Sequence, residues 1–229
     1  VARPDISDPR RREAEIADAL EAHGLVARGW FALEEGEVAG FRSALLVGQA
    51  GASIWPHVQQ WLDNQPDNPA HPIDQWTSAT LNAVGAAFGA RAAFPFERPY
   101  LPFQRWAARA EGLKPSPLGI LMHPVYGLWH AYRGALLFEA EIAVQPLSAP
   151  VNLCDACVGK PCLSACPVGA WSPRGFDRDA CTGHLHDAAG MPCMSGGCMA
   201  RNACPEAAAW RYPPAVQAHH QAFFRDGRR

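Results

Sequence analysis

The chain has 229 residues, 48% of them apolar, and a formal net charge of −2. That is enough apolar material for one generous domain or two unequal ones. The near-neutral balance argues against a nucleic-acid surface, which normally carries a strong basic excess, and no apolar run approaches the ~20 residues that span a bilayer.

The N-terminal "VARPDISDPRRREAEIADAL" is charged, helical in pattern and without the apolar core of a signal peptide, so the expected location is the cytoplasm, away from membranes. Ser7 or Asp8 is the expected cap of this first helix, with Pro9 at its first position and Gly24 just past its end. "LVARGWFAL" and "FRSALLVGQ" read as strands, and "SIWPHVQQWLDNQ" as a short helix closed by the Pro- and Asn-rich "NQPDNPAHP". "VGQAG", 47–51, lacks the full glycine pattern of a phosphate loop and reads as a tight turn. Asp74 is the expected cap of a longer helix whose apolar face holds Trp76, Thr80, Leu81, Val84 and Phe88. A companion helix follows in "LPFQRWAARAEG", and then "GILMHP" and "GALLFEAEIAV" read as strands around an aromatic bend. Helices alternating with strands predict a mixed α/β layer structure over 1–150.

From 151 the composition changes to Gly, Pro, Met and Cys, with too few periodic apolar positions for an ordinary core. All eight cysteines lie between Cys154 and Cys204. The first group is Cys154-x2-Cys157-x4-Cys162-x3-Cys166-Pro167, and the second is Cys181, Cys193, Cys198 and Cys204-Pro205. Bacterial two-cluster ferredoxins use C-x2-C-x2-C-x3-C-P, in which the fourth cysteine binds the other cluster. Here the middle gap is two residues wider, through "VGKP". A crossed arrangement puts Cys154, Cys157, Cys162 and Cys204 on one [4Fe-4S] cluster and Cys166, Cys181, Cys193 and Cys198 on the other. A sequential arrangement stays open, because the second group is irregular. Four-cysteine zinc sites use the same ligands but usually pair two C-x2-C knuckles, and only one such knuckle is present. A disulfide framework belongs to oxidising compartments and is disfavoured without a secretion signal. A last helix, "PPAVQAHHQAFFRDG", is expected to bury Val216 with Phe223 or Phe224, leaving His219 and His220 in solvent.

Two resemblances converge on these residues. The cysteine region is similar to the C-terminal ferredoxin module of epoxyqueuosine reductases and of the corrinoid-dependent reductive dehalogenases, where a lone cysteine like Cys181 also lies between two motifs. The preceding part resembles the cobalamin-processing CblC family through "HPVYGLWHAYRGALL", 123–137, which follows H-P-x-aromatic-G-x-W-x-A-x-R-G. "HPID", 71–74, and "ERPYLPFQRWAARAEGL", 97–113, support it more loosely. The resemblance implies an α+β fold, a flavin-nitroreductase-like layer sandwich over 1–150, with a small loop-rich ferredoxin-like module at 151–212 and a terminal helix at 213–229. It implies a corrinoid (cobalamin) or a flavin in the first domain, with Trp129 against the corrinoid and His123 at the strand end framing the pocket. Arg133 and Arg98 would match arginines that serve a thiol cosubstrate or the cofactor's polar periphery. The chain departs from epoxyqueuosine reductases where a pocket aspartate would precede "LPFQRWA", for the neighbourhood reads "FPFERPY", with Glu97 or Tyr100 as candidate replacements. A lysine-bearing turn of that family is replaced by "KPSPLG", so the tRNA reaction is not expected.

The function these observations predict is iron–sulfur electron transfer, from an external donor through two clusters to a corrinoid. No catalytic residue is assigned. A homodimer is a candidate assembly, since nitroreductase-like folds include dimers. The alternatives are an electron carrier whose first domain only docks partners, a corrinoid chaperone with structural clusters, and a reductase of a small organic substrate.

Overall fold

A computed structural model describes residues 9–67, 69–142, 152–172 and 174–227. The described residues of Val1–Gln49, Ser53–Glu111 and Ala131–Ser148 form one compact unit, and those of Ala50–Ala52, Gly112–His130 and Ala149–Arg229 form a second.

The first unit is a mixed helix–sheet structure. Helix α1 (Pro9–Glu21) buries Ile16 and Leu20, one turn apart; its expected caps, Ser7 and Asp8, lie outside the described residues. Strands β1 (Val26–Ala32) and β2 (Ser43–Ala50) pair antiparallel. Helix α2 (Trp55–Asp63) follows, then α3 (Pro72–Ala87). Here His71 holds the cap position without a side-chain bond, and Asp74 is the third residue of the helix, within its first turn. A carboxylate there still meets the positive end of the helix dipole, which is why the sequence pattern pointed to it. Strand β3 (Arg91–Ala93) has no apolar alternation and was not anticipated. Helix α4 (Phe103–Glu111) comes next, and the unit's last strand, β6 (His130–Phe138), begins earlier and ends sooner than "GALLFEAEIAV" suggested.

The sheet order is β1-β2-β6-β3. Strand β2 lies inside it and is buried along its whole length. Its apolar stretch 44–47 suits that place, and the buried polar Ser43 and Gln49 are hydrogen-bonded, to the Ala140 carbonyl and to Arg133. The core joins Leu20, Leu45, Val47 and Val58 to Trp76, Leu81, Leu136 and Phe138. A bulge between Ala27 and Trp30 marks β1. Within it Gly29 takes φ +108°, and a Cβ there would meet the Ala110 carbonyl oxygen at 2.5 Å, so only glycine lets α4 come this close. The same bulge sends buried Arg28 onto Glu111 of α4, with Nε–Oε1 at 2.8 Å and Nη2–Oε2 at 2.9 Å. Tyr132 on β6 donates its hydroxyl to Glu111 at 2.5 Å. Burial, then the neighbouring carboxylate, pushes the Tyr132 phenol well above its usual range, so it stays a donor at all ordinary pH.

The second unit contains short pieces. Strands β4 (Lys114–Pro115) and β5 (Leu121–Met122) pair, so the expected strand over 119–124 shrinks to two residues beside a turn. Helices α5 (Leu153–Ala156) and α6 (Pro161–Ser164) precede the hairpin of β7 (Trp171–Ser172) and β8 (Gly175–Phe176). Then come α7 (Arg178–His186), α8 (Met191–Gly196), α9 (Met199–Asn202) and α10 (Pro214–Arg225). Its small core is Leu118, Met122, Leu128, Cys162, Ala200 and Cys204, so two cysteines serve as core residues. Helix α10 buries Val216 as expected, whereas Phe223 and Phe224 are half-buried. His219 and His220 are half-buried too, with His220 against Tyr212 at 5.6 Å and His219 against Phe223 at 4.7 Å, instead of free in solvent. No described helix is long and apolar enough to cross a membrane.

Candidate metal centre

Local structure presents each cysteine. The Asn152 side chain caps α5 by accepting from the Cys154 amide at 3.2 Å, and Cys157 follows the same turn as its C-cap. The extra residues "VGKP" then reverse the chain. Gly159 and Lys160 both take positive φ, 78° and 38°, and Pro161 starts α6, which carries Cys162. The Lys160 ammonium reaches back to the Cys154 carbonyl at 2.9 Å, so the widened gap is a closed loop tied at its base. Asp177 caps α7 through the Ala180 amide at 2.9 Å, which fixes the turn bearing Cys181. Cys193 lies in α8, Cys198 is the N-cap of α9, and Cys204 comes just after Ala203, the C-cap of α9.

The structure gathers the eight thiols into two groups of four. Cys154, Cys157, Cys162 and Cys204 line one recess together with Met122, Leu128, Leu153 and three prolines, Pro117, Pro161 and Pro205. Burial first, and then the other thiols of the group, pushes Cys154 and Cys162 above the ordinary thiol range. In the second group, burial and then Cys198, Cys166 and Cys193 push Cys181 up to about 11. Cys193 is raised by burial and by the same Cys198 and Cys166. Backbone amides point at the sulfurs. Ala170 N–H donates to Cys166 Sγ at 3.3 Å, Leu163 to Cys162, Met199 to Cys193 and Glu206 to Cys204.

All eight are free cysteines. Among the described residues no group of three or more histidine, cysteine, aspartate or glutamate side chains is arranged to hold a single metal ion. The donor set is all thiol, the chemistry of iron–sulfur and zinc sites.

The four residues expected around a corrinoid are divided between the units. Arg98 and Arg133 belong to the first, His123 and Trp129 to the second. Arg98 is exposed, its guanidinium 5.2 Å from the Tyr100 ring. Arg133 donates from Nε to Gln49 Oε1 at 2.6 Å. Asp74, which the sequence offered only as a helix cap, faces the charge of Arg133; burial raises its pKa, while Arg133 and then His71 oppose the rise. His123 Nδ1 accepts from the amides of Val125 and Tyr126, both at 3.0 Å, and its ring stacks on Tyr126. Gly127, at φ +56°, closes this turn where a Cβ would meet Ala207 Cβ at 2.8 Å. Trp129 is fully buried, with Arg201 over its ring at 4.5 Å and Tyr212 edge-on at 5.4 Å. Trp129 therefore has no exposed face for a ligand to lie against. Glu97 is exposed, and Tyr100 is 64% exposed.

No known family pattern matches the chain, and no curated protein matches its sequence. Solved structures share its fold, three of them as follows. An epoxyqueuosine reductase bound to a tRNA-Tyr stem loop carrying epoxyqueuosine aligns at TM-score 0.54 and 12% identity, over 92% of this chain and 71% of its own. The epoxyqueuosine reductase of Bacillus subtilis aligns at TM-score 0.56 and 12% identity over the same shares. A C. elegans B12-trafficking protein, CblC, aligns at TM-score 0.52 and 12% identity, over 98% of this chain and 99% of its own. At that identity the likeness establishes the fold, a helix-and-sheet architecture common to a reductase and a B12-trafficking protein.

Proposed function

We propose that the chain is a redox protein that holds two [4Fe-4S] clusters and delivers electrons to a corrinoid bound by its first unit. The observation that carries this reading is the sorting of eight thiols into two groups of four. Each group draws ligands from both sequence motifs, as two-cluster ferredoxins do. Cys154, Cys157, Cys162 and Cys204 would hold one cluster, and Cys166, Cys181, Cys193 and Cys198 the other. When bound, each cluster supplies a one-electron couple.

The chain's own residues fit that role. The amides of Ala170, Leu163, Met199 and Glu206 point at cysteine sulfurs, where they stabilise thiolate charge. Met122, Leu128 and Leu153 keep water away from the first group. Because burial raises the thiols, loading must displace protons, and it proceeds more readily as pH rises. In the first unit Arg98 and Arg133 offer polar contacts for the corrinoid periphery, with Asp74 beside Arg133 as a group able to hold a proton on its carboxylate. The CblC-like fold supports the corrinoid assignment over a flavin.

The test is an anaerobic titration of the reduced, full-length protein with cobalamin. Stoichiometric binding with a spectral shift, followed by loss of the Co(III) spectrum, is expected. Cluster reduction with no change in bound cobalt would favour a chaperone, and no binding would leave an electron carrier that only docks its partner.

A further inference from the structure

Relative to the spacing of two-cluster ferredoxins, the first motif carries two extra residues, and the widened gap puts a lysine beside the first thiol group. The Cys154 carbonyl accepts from the Cys157 amide at 3.3 Å and from the Lys160 ammonium at 2.9 Å. The Lys160 carbonyl in turn accepts from the amide of Leu163, the neighbour of Cys162, at 2.9 Å. Lys160 is thus pinned at both ends, by its side chain to one cysteine turn and by its backbone to the next. It lines the same recess as Cys154, Cys157, Cys162 and Cys204.

The backbone at this residue is a second observation. Its φ of 38° lies in the left-handed region, where a side chain costs about 1–3 kcal/mol and glycine costs little. A lysine held there implies a side chain in use. The charges around the thiols indicate the use. At Cys154 burial raises the thiol most, Cys204 and Cys162 add to it, and Lys160 opposes them. At Cys204 burial again leads; the Glu206 amide opposes it, the Glu206 carboxylate and Cys157 add to it, and Arg211 opposes it least. In the other group, Cys181 and Cys193 are raised by burial and by neighbouring thiols, with the Met199 amide opposing at Cys193.

We infer that Lys160 is a counter-charge dedicated to the centre held by Cys154, Cys157, Cys162 and Cys204, and that it raises the reduction potential of that centre alone. This rests on the cluster reading above. A centre of four thiolates, sulfides and iron gains one negative charge with each electron it accepts. A fixed cation stabilises that more negative state more than the oxidised one, so its removal lowers the potential. Water reaches the half-buried lysine, which keeps the influence modest and local. Glu206 lines the same recess and works against the lysine, whereas Arg211 works with it from the Cys204 side. The wide gap is then a tuning device. It brings a cation to one of the two centres and favours that centre as the place where the electron rests.

The experiment is a dithionite titration of full-length protein followed by electron paramagnetic resonance, after iron and sulfide have been counted. Wild type is compared with Lys160→Gln, Lys160→Gly and Lys160→Arg, and the signal that Cys157→Ser alters marks the first centre. At a fixed poise the reduced-to-oxidised ratio of that centre should fall about threefold in Lys160→Gln, which is ~28 mV for a one-electron couple. Lys160→Gly, which suits the backbone, should give the same fall, and the other centre should keep its ratio in both variants. Lys160→Arg, which keeps the charge, should stay close to wild type. Equal shifts at the two centres, or none at either, with iron retained would overturn the inference and leave the cluster reading standing. Loss of the first centre's iron in both Lys160→Gln and Lys160→Gly would overturn it too, since the lysine would then only hold the loop. A fall of about threefold in Lys160→Arg would overturn a role for charge. Wild type without sulfide would overturn the cluster reading itself, and the inference with it.

Discussion

The two compact units hold themselves together by different means. The first buries large aliphatic and aromatic side chains such as Leu81, Trp76 and Phe138, has no cysteine, and closes its core with the Arg28–Glu111–Tyr132 lock. The second has short helices, pairs of two-residue strands and a small core in which Cys162 and Cys204 themselves take part. Apolar burial at roughly 25 cal/mol per Å² stabilises the first unit. In the second, that contribution is small, and the proposed clusters would supply the rest, as metal does in small metal-held domains. The lesson is that one chain can hold a unit closed by large side-chain packing and a second unit whose small core is built partly from cysteines.

The sharpest way to break this contrast is to strip the proposed clusters. Anaerobic chelation should release amide protection across 152–226 by orders of magnitude while β2 and β6 stay protected, read by hydrogen exchange. Loss of protection in both units together would refute the division. A second test works from the other side. Glu111→Ala strips the partner from buried Arg28 and should cost the first unit about 3–5 kcal/mol in denaturant unfolding, with iron content unchanged.

Acid gives a smaller effect. Burial would raise the Glu37 pKa, but Arg109, the Glu34 amide and Trp106 outweigh it, and the carboxyl ends below its usual 4.5. A depressed carboxyl contributes stability that is complete above its unfolded value and is lost as pH falls through the folded one. Wild type should therefore lose stability below pH 4.5, whereas Glu37→Gln starts about 1–3 kcal/mol lower and shows a flatter acid limb. The smallest effect is expected at Arg11, whose side chain is 71% exposed beside Glu15. Arg11→Ala should change stability by less than about 0.5 kcal/mol.

Much of the first unit was legible because its elements are long and periodic. Helices α1 to α4 and strands β1 and β2 each follow from apolar spacing bounded by Pro, Gly or Asn. Strand β3 was not legible, since "RAA" carries no alternation and exists only through pairing with Leu136 and its neighbours. Cysteine spacing and the two Cys-Pro endings pointed to a crossed grouping of thiols and left a sequential one open. The remaining parts of the site have no signature of that kind. Nothing in 112–130 predicts that Met122 and Leu128 line the recess of the first thiol group, because they are ordinary apolar residues distant in sequence. The packing of Arg201 over Trp129 was invisible for the same reason, since an arginine in "MARNAC" gains meaning only when the Trp129 and Tyr212 rings are seen beside it.

The central claim is that two iron–sulfur clusters organise the second unit, and it is tested most directly by counting iron and acid-labile sulfide in the anaerobically purified full-length chain. About eight irons and eight sulfides per chain are predicted. Two zinc ions per chain with no sulfide would contradict the account.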